Sequence, residues 1–260
     1  MTSLHGAPRG KAGFTLIELL VVMAIIALLT FILIPALAGL QKAGSFSKGV
    51  YDMSDAINFA RSSAMGGNTF VYLGLTELDR TQAPGANPQQ AGLGEVALAA
   101  VSTTDGTSDT TTSNNITTWT NYNGSNLTLL RPVQIFDFLY IAPQFQLPTA
   151  TSGGMGRPSQ GVDYLKVGST LFPTATFPTT PFSVPLGAST TGGKYNFTSA
   201  IPFSPQGSIV LNGTAAQWIE IDLQPYQGGA APAAPASATQ GNQAALMIDG
   251  ATGSITVYRP

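Results

Sequence analysis

Glu18 makes the heaviest demand on its surroundings. It stands near the start of "FTLIELLVVMAIIALLTFILI", residues Phe14 to Ile34, a run otherwise made of apolar side chains and two threonines. As a helix this run would be about 31 Å long, which matches a bilayer's hydrocarbon core. A carboxylate at that depth costs up to a few kcal/mol, so it marks a functional position whose partner must be found.

Little else in the chain could do chemistry. There is no cysteine, hence no disulfide and no thiolate. The one histidine, His5, precedes the apolar run, so removal of the leader would leave none. Ser-His-Asp and Cys-His catalysis are then excluded, and a zinc site is not expected. Asp105 and Asp109 in "DGTSDT" lack the alternating ligand pattern and distal glutamate of a calcium loop, and they read as a solvated turn. No phosphate loop, dinucleotide fingerprint or nucleophile elbow occurs. Neither an enzyme, a cofactor nor a metal is expected.

Charge is thin: 9% of residues, with a net charge of -2. Of 11 basic residues against 13 acids, Arg9 and Lys11 precede the apolar run. The others, Lys42, Lys48, Arg61, Arg80, Arg131, Arg157, Lys166, Lys194 and Arg259, are scattered. Phosphate backbones are held by clustered cations, so nucleic acid is not an expected partner.

Three elements could carry Glu18. An ordinary signal peptide would be cut after Ala38, since Ala36 and Ala38 form a small-residue site, but its apolar core is shorter than this run. A plain membrane anchor tolerates a carboxylate near one end without giving it a task. In the third reading the stretch "KAGFTLIELLVVMAIIALL" resembles the start of type IV prepilins and pseudopilins. That resemblance implies cleavage by a prepilin peptidase between Gly13 and Phe14 and N-methylation of Phe14. It implies assembly through Glu18 and Thr15, with a helix kink at Pro35. Cleavage would turn the Phe14 amine into a cation, and Glu18 of one subunit would meet it in a neighbour, setting axial register in a weakly screened apolar bundle. Desolvation opposes any large net gain from such a pair.

Beyond Gly39 the helical pattern resumes. Phe46, Val50, Met53, Ile57, Ala60 and Ala64 form one apolar stripe, and Gly66-Gly67 marks a stop. "DAINFARSSAMGGNTFVYLGL", "IPFSPQGSIVL", "QWIEIDL" and "AALMIDGATGSITVYR" resemble H-type minor pseudopilins and FimT-like pilins. The large polar head is also similar to pilin-like members of the Verru_Chthon cassette. Read alone, Gln217 to Leu223 alternates as a half-buried antiparallel strand with one wet face. "ALMID" and "SITVY" flank a glycine-containing turn. The triplets at Asn115, Asn123, Asn126, Asn196 and Asn212 are expected by chance in a Ser/Thr-rich chain.

These readings predict an α+β protein in which a long N-terminal helix, membrane-embedded in its first half, packs on an antiparallel β-sheet head with a large loop-rich insertion. The expected divisions are a leader over 1–13, a transmembrane helix over 14–40, a helical spine over 41–66 and a head over 67–260. The insertion spans 77–200 and is read as a surface loop system with extra strands; a mobile loop covers 226–243. The resemblance implies a single-pass inner-membrane protein, N-terminus cytoplasmic and head periplasmic, which joins other pilin subunits in a pilus or pseudopilus. The alternatives are a minor pilin whose head binds DNA or surfaces, and an ordinary secreted protein.

Overall fold

The computed structural model describes residues 15–82, 92–104, 106, 127–142, 164–166, 182–185, 194–197, 199–211, 214–215, 218–226, 228–229 and 242–259. The leader, the Asp105 and Asp109 turn, the triplets at Asn115, Asn123, Asn126 and Asn212, and most of 226–243 lie outside these residues. The chain divides into two compact units, Met1–Gln41 and Lys42–Pro260. It is an α+β protein.

The helix α1, Leu16–Gly67, supplies residues to both units and runs on through Pro35. In the first unit, Leu16–Leu33 is long and apolar enough to cross a membrane, and none of it is buried. Large apolar side chains are exposed all round this segment, from Leu16 and Ile17 to Phe31 and Leu33. A helix apolar on every face needs lipid or other helices around it.

In the second unit, α1 lays its stripe on a sheet: Phe46, Val50, Met53, Ile57, Ala60 and Ala64 are all fully buried. Gly49 lets the helix approach closely, because a Cβ there would strike the Leu139 side chain. Both Gly66 and Gly67 remain helical. The stop is made by Asn68, in the left-handed region at φ 47°, and by the Thr69 N–H, which donates to the Ala64 carbonyl at 3.1 Å. Asparagine tolerates that conformation and closes helices much as glycine does.

The strands follow in chain order. They begin with β1 (Val71–Asp79), β2 (Gly94–Thr103), β3 (Leu127–Leu129), β4 (Gln134–Ile141) and β5 (Tyr164–Lys166). Next come β6 (Phe182–Pro185), β7 (Lys194–Phe197), β8 (Ser199–Phe203), β9 (Val210–Leu211) and β10 (Thr214–Ala215). The last are β11 (Trp218–Pro225), β12 (Ala244–Asp249) and β13 (Ile255–Tyr258). Among the described residues the main sheet has nine strands, ordered β13-β12-β11-β4-β2-β1-β8, with β3 beside β2 and β5 beside β11. Its pairings are antiparallel except β5 with β11.

Two expectations need correction. β11 has no wet face: Glu220 and Asp222 are as buried as Ile219 and Ile221. Alternation signals two different faces, and here both are covered. β5 pairs along one edge of β11 within the sheet, and Val184 and Phe197 of the β6–β7 pair join the core beside β1. The second correction concerns the insertion. β1 continues past Glu77 to Asp79, and β2 and β4 are central strands that join the two halves of the sheet, not a surface decoration.

Candidate functional site: the N-terminal helix start and its support

Gly13 and Phe14 lie outside the described residues. The structure brings the next two motif residues together. The Thr15 N–H and the Thr15 hydroxyl each donate to Glu18 Oε2 at 2.9 Å. In return, the Glu18 N–H faces Thr15 Oγ1 at 3.3 Å. This is a reciprocal capping box, with Thr15 ahead of the first helical residue and Glu18 at the third position. It satisfies amides that the first helical turn leaves without intrahelical partners. Glu18 is also the one acid of the first turn, where the helix dipole favours negative charge. The capping role was available in the Thr-x-x-Glu spacing, although the sequence reading gave Glu18 an intermolecular task alone.

Residues 8–34 match the family model described as the prokaryotic N-terminal methylation motif. The chain carries the start of a type IV prepilin-like protein. That start supports a pilin-like precursor, processed by prepilin peptidase, anchored in a membrane by its apolar helix and assembled with other pilins. No curated protein and no solved structure matches the chain.

In the head of this prepilin-like chain, three stretches that carried the subtype resemblance converge on Arg61. Its Nε donates to the Thr252 carbonyl in the β12–β13 turn at 2.7 Å. Its side chain lies against Gly253, at φ 67°, and Gly207, at φ 80°, in the turn after β8. A Cβ on Gly253 would strike the Gly207 carbonyl oxygen and crowd Arg61 Cδ. The hairpin turn is fixed by Asp249, whose Oδ1 accepts from the Ala251 and Thr252 N–H groups at 2.8 and 3.1 Å. Ala60-Arg61-Ser62, Pro205-Gln206-Gly207 and the final hairpin thus form one clamp on the C-terminal end of α1.

Other rim contacts hold the same helix. The Arg259 guanidinium donates to Ser47 Oγ at 3.3 Å and lies 5.0 Å from the Tyr51 ring centre. Arg131 sits 4.5 Å over Phe59, and within the helix Lys48 pairs with Asp52 one turn along. Arg80 stacks 3.7 Å over Phe138. The described arginines are therefore engaged by the head's own rings and carbonyls. Among the described residues no group of three or more acidic, His or Cys side chains could hold a metal ion.

Proposed function

We propose that this protein is a structural subunit of a type IV pilus or of a type II secretion pseudopilus. Prepilin peptidase cuts it after Gly13 and methylates Phe14. The subunit then stands in the inner membrane with a cytoplasmic N-terminus and a periplasmic head until it joins a filament. Its work is assembly and contact, without catalysis. The observation that carries this reading is the matched motif running into a helix exposed and apolar on every face. Such a surface is stable in lipid or against like helices, and interhelical packing without water rests on close van der Waals fit.

After cleavage the Phe14 amine would lie one residue from the Thr15 cap. The Glu18 carboxylate is already held by Thr15, so an amine from a neighbouring subunit would meet a preorganised acceptor. The dispersed, ring-stacked arginines favour this subunit role over a DNA-binding one, because phosphate recognition needs clustered cations.

The chain's lack of cysteine provides a clean test. Single cysteines placed along Leu19–Leu33 in cells that make the machinery should give disulfide-linked neighbours after mild oxidation. Glu18→Ala should abolish those cross-links while the cleaved chain remains in the membrane fraction. Cross-linking that persists undiminished in Glu18→Ala would remove Glu18 from assembly.

A further inference from the structure

Two short strands of the head each have a side that no strand covers among the described residues. β13 ends the main sheet and pairs with β12 alone. Its four residues, Ile-Thr-Val-Tyr, carry no charge or proline of the kind that blunts an exposed edge. The other uncovered side belongs to the first half of β4. β11 covers Leu139, Tyr140 and Ile141, and the Tyr226 N–H reaches one residue further, to the Phe138 carbonyl at 2.9 Å. Residues 134–137 have β2 on one side and no strand on the other.

In an antiparallel ladder alternate residues bond to the neighbouring strand and the rest turn outward. The Asp249 N–H donates to the Ser254 carbonyl at 2.9 Å, so in the same phase Thr256 and Tyr258 bond to β12. Ile255 and Val257 therefore turn their N–H and carbonyl groups to the open side. Along β2, the Ala100 carbonyl accepts from the Leu130 N–H at 2.9 Å, so in the same phase Leu98 and Val96 bond to Gln134 and Phe136. Ile135 and Asp137 are the outward residues of β4.

The two edges lie on opposite flanks of α1 and differ in charge. Residues 134–137 wall an open groove of about 340 Å³ against Ser45, Lys48, Gly49 and Asp52. Ile135 is 43% exposed there. Asp137, also exposed, stands opposite Glu95 across the β2–β4 pair, two like charges face to face. β13 has no acid and runs into Arg259, which donates to Ser47 Oγ and the Ser47 carbonyl. Those acceptors are neutral, so the guanidinium keeps its charge. At 3.6 residues per turn, Ser47 and Tyr51 leave the helix on one side of its buried stripe, and Ser45, Gly49 and Asp52 on the other.

Resting on the reading of this chain as a filament subunit, we propose that β13 of one copy adds as a strand to residues 134–137 of the next. Each edge is four residues long, and the basic end of one meets the acidic floor of the other. Within one chain β12 and β11 stand between the two edges, so a copy cannot pair with itself. On opposite flanks of α1, one copy can give a strand and receive one at the same time. Such a contact is heterologous and can repeat as an open helical filament. Main-chain bonds from the outward residues hold it, as in other cases of strand addition.

Two differently tagged full-length copies, one with Ile135→Cys and one with Thr256→Cys, test this in cells that make the machinery. A short bismaleimide should join them into a product bearing both tags, and either variant alone should give none. Both cysteines in one chain should give a ladder of dimers, trimers and longer products. Val257→Pro removes an outward N–H and leaves the β12 ladder intact, so it should cut the two-tag product about tenfold, while Val257→Thr keeps it. Disulfides between membrane segments report subunit assembly separately. If those form while the two-tag product does not, strand addition is overturned and the subunit reading stands. A two-tag product unchanged by Val257→Pro would also overturn it. Absence of both kinds of cross-link would overturn the subunit reading, and this inference with it.

Discussion

At Glu18, a single carboxylate serves the local cap, and the proposed function gives the same atoms an intermolecular purpose. Its Oε2 closes the Thr15 cap, and the same oxygen is the acceptor that a neighbour's amine would meet. Thr15→Val keeps the side chain's shape but removes the hydroxyl bonds. It should raise amide exchange in the first turn of α1 and reduce filament yield, whereas Thr15→Ser should restore both. Equal behaviour of the Val and Ser variants would show that the hydroxyl has no such role. The Thr-x-x-Glu spacing carries the signal for this cap, but the carboxylate's depth in an apolar run points first to a partner on another subunit. The Arg61 contact was not legible, because its acceptor lies on Thr252, 191 residues further along the chain, and no local pattern encodes that meeting.

At the scale of elements, the spine of the head was plain in the sequence. The stripe from Phe46 to Ala64 is the buried face of α1, and the glycine-containing hairpin forms between β12 and β13. The strand faces were harder to read. Trp218 to Leu223 alternates cleanly, yet alternation distinguishes two faces without saying whether water covers either, and both are buried in β11. The helix stop shows a smaller failure of the same kind: Gly66 and Gly67 have the right chemistry, but Asn68 adopts the left-handed turn. The clamp at the end of α1 gives this scale its prediction. Gly253→Ala forces a side chain into a left-handed residue against the Gly207 carbonyl and should destabilise the head by about 2 kcal/mol or more. Arg61→Ala should cost about 1–3 kcal/mol through the orphaned Thr252 carbonyl. Because the two share one contact, the double variant should lose less than the sum of the singles in urea unfolding. Strict additivity would show that Arg61 and Gly253 do not act together.

For the whole molecule, the two units answer to different solvents. The first has an apolar helix with no buried stretch in Leu16–Leu33, and the second has its own sheet, core and helix segment. With 9% charged residues the head's folding rests on packing more than on ion pairs, and the described salt bridge, Lys48 with Asp52, is an exposed one of small worth. The proposed function depends on a new N-terminus at Phe14. The most direct test is therefore the mass of the mature N-terminal peptide, made with and without the host's prepilin peptidase. A chain beginning at N-methylated Phe14, and only when the peptidase is present, is the predicted result. A chain beginning at Gly39 regardless of the peptidase would contradict it, because the segment carrying Thr15 and Glu18 would have been discarded as a signal peptide.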